Sequence, residues 1–123
     1  YYCNDTVVGV KATGMNFYVA MRDLEQMSWP IAISQCQSYT FCGNVNGTLP
    51  TRDQLVTIYN NKSRVNTLLS TNGGTQLTND YYWSSSGKYS NEYNYIVSMS
   101  DGTNDNRDYY DYYHYVRPIL ESY

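Results

Sequence analysis

The segment LPTRDQL, residues 49–55, carries the clearest helix signal in the sequence. Thr51 is followed three residues later by Gln54, which is the spacing of a capping box. In that motif each of the two side chains satisfies a backbone N–H at the start of a helix. Apolar residues then recur at helical spacing, so this segment predicts a helix from about Thr51 to Asn60.

The sequence before this helix predicts a strand and a first helix. Residues 13–22 alternate between apolar and polar side chains, which is typical of a half-buried strand. The apolar set of that strand is Met15, Phe17, Val19 and Met21. In MSWPIAISQCQSY, residues 27–39, Ser28 is a suitable N-cap and Pro30 falls in the first helical turn. The predicted packing face of this helix is Ile31, Ala32, Gln35 and Cys36.

The sequence after residue 60 predicts mainly strands and loops. Leu68 and Leu69 are expected to pack beneath a loop that ends at STNGG, residues 70–74. From residue 80 onward the strand-like runs are YYWSS (81–85), YNYIVSM (93–99) and YYHYVRPIL (112–120). A strand, two helices and a β-rich second half with long loops predict an α+β fold in a single domain, residues 1–123.

Composition limits the classes of function. The chain has sixteen Tyr but only two Phe and two Trp, and it is rich in Asn, Ser, Gly and Asp. Antibody loops share this composition, because Tyr gives large contact area at low entropic cost. The net charge is −3 and the eight Lys and Arg residues do not cluster, so we expect no nucleic-acid partner. No apolar run approaches the length of a membrane span, so we expect no direct membrane insertion.

The stretch DGTNDNRDYYDYYHYVRP, residues 101–118, concentrates Tyr among Asp, Asn and Arg. If it continued as one strand, Tyr110, Tyr112 and His114 would share one face. Tyr82 and Tyr115 are expected to half-bury on a sheet, because Tyr is a good strand residue. The remaining density indicates an interaction surface. The predicted ligand-binding residues are Tyr89, Tyr93, Tyr95, Asn104, Asp105, Asn106, Arg107, Tyr109, Tyr110, Asp111, Tyr112, Tyr113 and His114.

The sequence offers no arrangement of residues for catalysis, metal binding or a cofactor. His114 is the only histidine, and no Ser or Cys is placed to be activated by it, so we expect no enzyme and no catalytic residue. Residues 101–108 carry several carboxylate and amide groups that calcium could use. Their spacing fits no known calcium loop and Arg107 lies among them, so we predict a solvated acidic loop, with no metal and no cofactor.

Three cysteines leave the disulfide pairing open. Cys36 and Cys42 could close a short loop, and Cys3 could compete for either of them, which leaves one thiol over. Three reduced thiols are the alternative. The absence of a CxxC motif argues against a zinc site.

Several motifs together resemble the bacterial C-type-lectin-like domains at the ends of surface adhesins and collagen-like proteins. In order, they are Ser28-Trp29-Pro30 with Ala32 and Cys36, the segment 49–55, Tyr82-Trp83-Ser84-Ser85-Ser86, and Val116-Arg117-Pro118. The chain departs from that pattern at Gln54, where Glu is usual, and at Gly47-Thr48, where Trp is frequent. The resemblance implies a C-type-lectin-like fold with two helices packed on short antiparallel strands. It also implies that Trp29 and Trp83 are core anchors.

The resemblance implies recognition of a cell-surface protein or glycan by an extracellular, cell-surface or virion-surface domain. We expect the chain to be the C-terminal part of a larger surface protein. The calcium-dependent sugar motifs of C-type lectins (EPN or QPD, with WND) are absent, which predicts calcium-independent binding. Arg107 could bind a carboxylate in a bidentate manner, including a carboxylate on an acidic glycan. The alternative is a structural subunit of a pilus or tail, whose Tyr-rich surface packs against other subunits.

The residue types in the tyrosine stretch suggest one further hypothesis. Residues 108–115 contain only Asp, Tyr and His, which adenine mutagenesis produces from Asn codons. This resembles the variable proteins of diversity-generating retroelements, which display such positions on a C-type-lectin-like scaffold. Biased composition in an ordinary adhesin is the alternative.

Overall fold

The computed structural model describes residues 1–87 and 92–121 and has an α+β fold. In chain order the elements are β1 (Tyr2–Cys3), β2 (Thr6–Val7), β3 (Gly9–Val10), β4 (Phe17–Ala20), β5 (Leu24–Met27), α1 (Trp29–Ser38), β6 (Thr40–Cys42), β7 (Val45–Asn46), α2 (Arg52–Asn60), α3 (Lys62–Thr71), β8 (Tyr81–Trp83), β9 (Tyr93–Ser98), β10 (Asn106–Tyr109), β11 (His114–Val116) and β12 (Ile119–Glu121). Within this part of the chain, no helix is long and apolar enough to cross a membrane.

The helix predicted from the segment 49–55 is confirmed as α2. The Thr51 hydroxyl accepts a hydrogen bond from the backbone N–H of Gln54, and the Gln54 side chain accepts one from the N–H of Thr51. These two bonds satisfy donors that a helix leaves without partners in its first turn. Leu55 and Ile58 are fully buried, so the cap fixes one end of a helix that packs on the core.

The prediction of two helices is wrong in number, because α3 follows α2 after a single residue. Leu68 and Leu69, expected beneath a loop, lie within this third helix. Val65 and Leu69 are spaced by one helical turn and are both buried against the core, and that packing supports a helix with no side-chain cap. In α1, Ser28 takes the N-cap position and Pro30 lies in the first turn as predicted, but the Ser28 side chain makes no capping hydrogen bond. Of the predicted packing face only Ala32 and Cys36 are buried, while Ile31 is 50% exposed.

Two main sheets organise the fold. The larger has the order β10-β9-β8-β11-β5, in which β11 runs parallel to β8 and the other pairs are antiparallel. The smaller has the order β12-β4-β3 and is antiparallel. It contains β4, which is shorter than the strand predicted over residues 13–22. The predicted inward side chains (Met15, Phe17, Val19 and Met21) are all buried, but Met15 and Met21 lie outside β4, and Ala20 of the other face is buried as well. Because β10 comes first in the order of the larger sheet, it forms one edge of that sheet.

The tyrosine stretch is not one continuous strand. It forms β10, then a turn at Tyr110 and Asp111, and then β11, which pairs with different strands from those beside β10. The predicted common face of Tyr110, Tyr112 and His114 is therefore wrong. The turn interrupts the two-residue alternation on which that prediction depended.

A buried arginine joins the two sheets. Arg117 is 1% exposed, and its Nε donates to the Asp23 carboxylate at 2.8 Å. Its Nη atoms donate to the backbone carbonyls of Ala20, Thr75 and Gln76. A buried guanidinium needs such partners because an unpaired charge is costly inside a protein. Arg117 thus links the end of β4 to the loops before β5 and β8.

The disulfide joins Cys3 to Cys42, and Cys36 is a buried free thiol. The pairing of Cys36 with Cys42 is therefore not formed, and the competing Cys3 takes its place. Helix α1 keeps the two thiols apart, because it turns Cys36 inward beside Ala32, into the cluster around Trp83. Cys42 lies outside that cluster, on β6. Burial raises the pKa of the Cys36 thiol to about 12, which leaves it protonated and unreactive at neutral pH.

Candidate tyrosine surface

The pairing of β9 with β10 assembles a polar and aromatic surface at the edge of the larger sheet. Tyr93 lies directly opposite Tyr109, and Tyr95 lies directly opposite Arg107. Side chains of directly opposed residues project from the same face of a sheet, and residues two apart on one strand share that face. These four residues, together with Tyr112, form what we call the tyrosine surface.

The rings of the tyrosine surface contact one another in a row. The ring centroids of Tyr93 and Tyr109 are 4.4 Å apart, and those of Tyr109 and Tyr112 are 5.5 Å apart. A side-chain hydrogen bond with Tyr109 is the main cause that raises the pKa of Tyr93. Tyr109 is 41% exposed and Tyr112 is 53% exposed, so their rings remain available to a ligand.

Two arginines approach the ring of Tyr95. The Cζ atom of Arg52, the first residue of α2, is 4.3 Å from the ring centroid, and that of Arg107 is 5.8 Å away. Both distances are within the range of cation–π attraction. Arg52 also donates from Nη2 to the Oδ1 atom of Asn104 at 3.2 Å, which ties the loop before β10 to the helix.

Gly87 makes room for the Tyr95 ring. Its φ of +95° lies in the region that favours glycine, and a Cβ at this position would lie 2.5 Å from Cδ2 of Tyr95. Any side chain at residue 87 would displace the ring from beneath the guanidinium groups. The turn that follows β8 is therefore part of the construction of this surface.

His114 and Asn106 lie on the opposite face of the larger sheet. The Nε2 atom of His114 is 2.7 Å from Oδ2 of Asp108, and its ring packs edge-on against Trp83 with centroids 4.8 Å apart. Asn106 donates from Nδ2 to the Tyr81 hydroxyl at 2.9 Å. Both predicted binding residues thus hold the back of the sheet in place and do not join the tyrosine surface.

Tyr110 anchors the turn between β10 and β11. Its ring stacks on Trp29 with centroids 4.4 Å apart and an interplanar angle of 18°, and its carbonyl accepts the backbone N–H of Trp29. The indole N–H of Trp29 donates to the Ser84 carbonyl at 2.8 Å. Trp29, expected in the core, is therefore a half-buried platform for this turn, while Trp83 is fully buried as predicted.

Tyr113 and Asp111 point to neighbouring grooves. Tyr113 is 66% exposed and lines a groove of about 480 Å³ with Ile31, Met27 and other residues of β5 and α1. Asp111 lines an open groove of about 330 Å³ with Glu92, Tyr109 and Tyr110. The first groove is a separate region from the tyrosine surface, whereas the second adjoins it through Tyr109.

The loop 101–105 is held by its own polar groups. The Asp101 carboxylate accepts the backbone N–H of Thr103, and this bond is the main cause that lowers the pKa of Asp101. A Cβ on Gly102 would lie 2.6 Å from the Tyr59 ring, so the loop passes close over α2. Asp105 is exposed. In residues 1–87 and 92–121, no group of three or more His, Cys, Asp or Glu side chains could hold a metal ion.

The structure brings together part of the predicted binding set. Tyr93, Tyr95, Asn104, Arg107, Tyr109 and Tyr112 lie on or beside the tyrosine surface. Tyr89 lies outside the described residues. The sequence did not predict Arg52 as a surface residue, because its position directly after Thr51 indicates only the start of a helix. Glu92 was not predicted either. It lies directly before β9, where no alternation of apolar and polar residues indicates its position.

Comparisons with known proteins do not assign the chain to a family. A scan against protein-family models found no match. A search of the curated proteins also found none. The function must therefore be inferred from these residues and their geometry.

Proposed function

We propose that this protein is a ligand-recognition domain that binds a cell-surface protein or glycan through the tyrosine surface, without calcium and without catalysis. One observation carries the proposal: a row of contacting Tyr rings, with Tyr109 and Tyr112 exposed and Tyr93 half-buried, lies on an edge of a sheet whose other side is fixed by buried residues. Exposed aromatic clusters with a polar rim are typical of binding sites.

The rigidity of the underlying sheet supports this proposal. Tyr and Arg contribute most to binding when they are held in place before the ligand arrives, because less conformational entropy is then lost. Here the Tyr95 ring is fitted against Gly87, and Tyr110 is stacked on Trp29. The exposed rings therefore project from a framework that is already ordered.

We propose further that the fold is C-type-lectin-like. Each of the four motifs that carry the resemblance includes residues that hold the framework, which supports it. Thr51 caps α2, Trp83 is fully buried, and Val116-Arg117-Pro118 is buried between the sheets. The disulfide between Cys3 and Cys42 supports an extracellular or surface location, because disulfides persist in oxidising compartments.

Half of the residues in 108–115 are exposed, and diversification could change these without disturbing the framework, whereas Asp108, Tyr110, His114 and Tyr115 are half-buried. Tyr109, Asp111, Tyr112 and Tyr113 are exposed, while the flanking Val116 is fully buried. Substitutions at exposed positions usually change stability by less than about 0.5 kcal/mol. A scaffold of this kind tolerates many sequences at the exposed positions, in a retroelement-diversified protein or in an ordinary adhesin.

The test is binding of the purified domain to bacterial and host cells, with and without EDTA. The test variant replaces Tyr93, Tyr109 and Tyr112 with Ser. The control replaces Tyr2 with Ser. Tyr2 is 67% exposed and is far in sequence from the residues of the tyrosine surface. We expect binding that survives EDTA, is retained by the control and is lost in the triple variant. Equal binding by the triple variant and the parent would contradict the proposal.

Light scattering on the same proteins separates the alternative function. A structural subunit of a pilus or tail is expected to self-associate as its concentration rises, and the triple Ser variant is expected to remain monomeric. Monomeric behaviour of the parent at concentrations where it binds cells is the result that recognition predicts.

A further inference from the structure

We propose that Arg52 and Arg107 form a carboxylate-binding site beside Tyr95, and that the ligand is a carboxylated sugar. This inference rests on the proposed function and specifies its ligand. The site combines one guanidinium from the start of α2 with one from β10, so the folded structure brings together residues that are far apart in the sequence.

The two guanidinium groups converge on one ring. Their Cζ atoms lie 4.3 Å and 5.8 Å from the centroid of Tyr95. Arg52 is held there by its hydrogen bond to Asn104, which accepts through Oδ1 and leaves the rest of the guanidinium edge for other acceptors. Arg107 is exposed on the edge strand β10. One guanidinium is thus held by a hydrogen bond, and the other is exposed to solvent.

The two arginines make the charge beside Tyr95 positive, while the carboxylate that acts on the adjacent Tyr93 is that of Glu92. Among the described residues, neither Arg52 nor Arg107 lies within ion-pair distance of a carboxylate; the ion pairs there are His114 with Asp108 and Arg117 with Asp23. An anion that binds beside this ring is attracted by both guanidinium groups. Arg presents a planar fork of donors that matches the two oxygens of a carboxylate.

The neighbouring rings favour a sugar as the carrier of the carboxylate. Tyr93 is two residues from Tyr95 on the same face of β9, about 7 Å along the strand. In a uronic or nonulosonic acid the carboxylate is attached directly to the sugar ring. A carboxylate held at the two arginines therefore places that ring over Tyr93 and Tyr109, whereas a Glu side chain would place a flexible methylene chain there.

The experiment compares matched ligands that differ only in charge. Oligogalacturonate is titrated against its methyl ester, and sialyllactose against its own methyl ester, by calorimetry on the parent domain. We expect the acid forms to bind about 10- to 100-fold more tightly, which is the effect of a charge-assisted hydrogen-bonded pair. Arg107→Gln and Arg52→Gln are each expected to remove that preference, and Arg64→Gln, the same charge change on the exposed surface of α3, is expected to retain it.

Two further measurements keep the test decisive. Because Arg52 begins α2, Arg52→Lys is included, and urea denaturation of each variant establishes that it is folded. Equal affinity for the acid and neutral forms, or tighter binding of a poly-glutamate peptide than of either sugar, would overturn the inference. If the parent binds cells through the tyrosine surface but binds neither acidic sugar, this inference fails and the proposed function stands.

Discussion

Tyr82 and Tyr109 lie two strands apart in the same sheet and serve opposite purposes. Tyr82 is fully buried, and its hydroxyl donates to Asp23 and accepts the backbone N–H of Thr78. Tyr109 is 41% exposed, and its ring contacts other exposed Tyr rings. The first is framework and the second is surface. The number of Tyr residues therefore does not predict a binding surface until the burial and contacts of each ring are known.

The same contrast separates two arginines. Arg117 is buried and saturated with acceptors, while Arg107 is exposed and contacts an aromatic ring. The framework thus uses polar groups whose hydrogen bonds are satisfied within the chain. The surface presents the same chemical groups to solvent, where a ligand can use them.

The largest expected effect is that of Arg117→Met. The substitution removes the charged partner of Asp23 and the donor to the backbone carbonyls of the buried Ala20 and of Thr75 and Gln76. Breaking a buried charge pair from one side costs about 3–5 kcal/mol of folding free energy. Urea denaturation measures this loss. Arg107→Met is the matched control and is expected to change stability by less than about 0.5 kcal/mol; similar losses in both variants would remove the distinction between framework and surface.

The next effect is that of the double change Cys3→Ser and Cys42→Ser. The disulfide closes a separation of 39 residues and ties β1 to β6, so its loss is expected to cost about 2–4 kcal/mol. Thermal denaturation of the variant is compared with that of the parent in dithiothreitol. We expect the two to agree and the variant to be insensitive to the reductant. A variant as stable as the oxidised parent would contradict this pairing.

The local features of the framework could be predicted from the sequence because short-range rules determine them. The Thr51–Gln54 capping box and the alternation from Met15 to Met21 depend only on neighbours in the chain. Helix α3 was not predicted because no side chain caps its N-terminus. Its stability comes from the tertiary packing of Val65 and Leu69.

The surface could be predicted only as a set of residue types. Strand β10 (Asn106–Tyr109) is a polar edge strand without alternation, so its sequence resembles a loop. Which residues share a face depends on its register against β9, and that register is a long-range property. The contribution of Arg52 to the surface, and the placement of His114 behind the sheet, follow from the same long-range contacts.

Tyr82→Phe is expected to cost about 1–3 kcal/mol at pH 7, since it leaves Asp23 and the Thr78 N–H with one partner fewer in a buried site. Desolvation by burial, followed by the negative charge of Asp23, raises the pKa of Tyr82 above its ordinary value of 10.0. A group whose pKa is raised on folding stabilises the protein below its unfolded pKa and loses that contribution as pH rises above it.

The pH dependence gives this prediction a sharp form. The difference in unfolding free energy between the parent and Tyr82→Phe is expected to be constant up to about pH 9 and to shrink as pH rises through 10 and beyond. Urea denaturation at several pH values measures it. Tyr112→Phe, which removes the hydroxyl of an exposed ring, is the control and is expected to leave the free energy of unfolding at pH 7 almost unchanged. A difference that grows with pH would mean that the Tyr82 phenol is not held in its neutral form.

The smallest expected effect is that of changing Tyr112 and Tyr113 together to Ser. Both side chains are more than half exposed, so their loss removes little buried area and is expected to change the free energy of unfolding by less than about 1 kcal/mol. Urea denaturation measures this change beside that of Tyr82→Phe. A loss above about 2 kcal/mol would make these rings part of the framework, and a surface that must stay constant for folding cannot be the variable surface of a recognition domain.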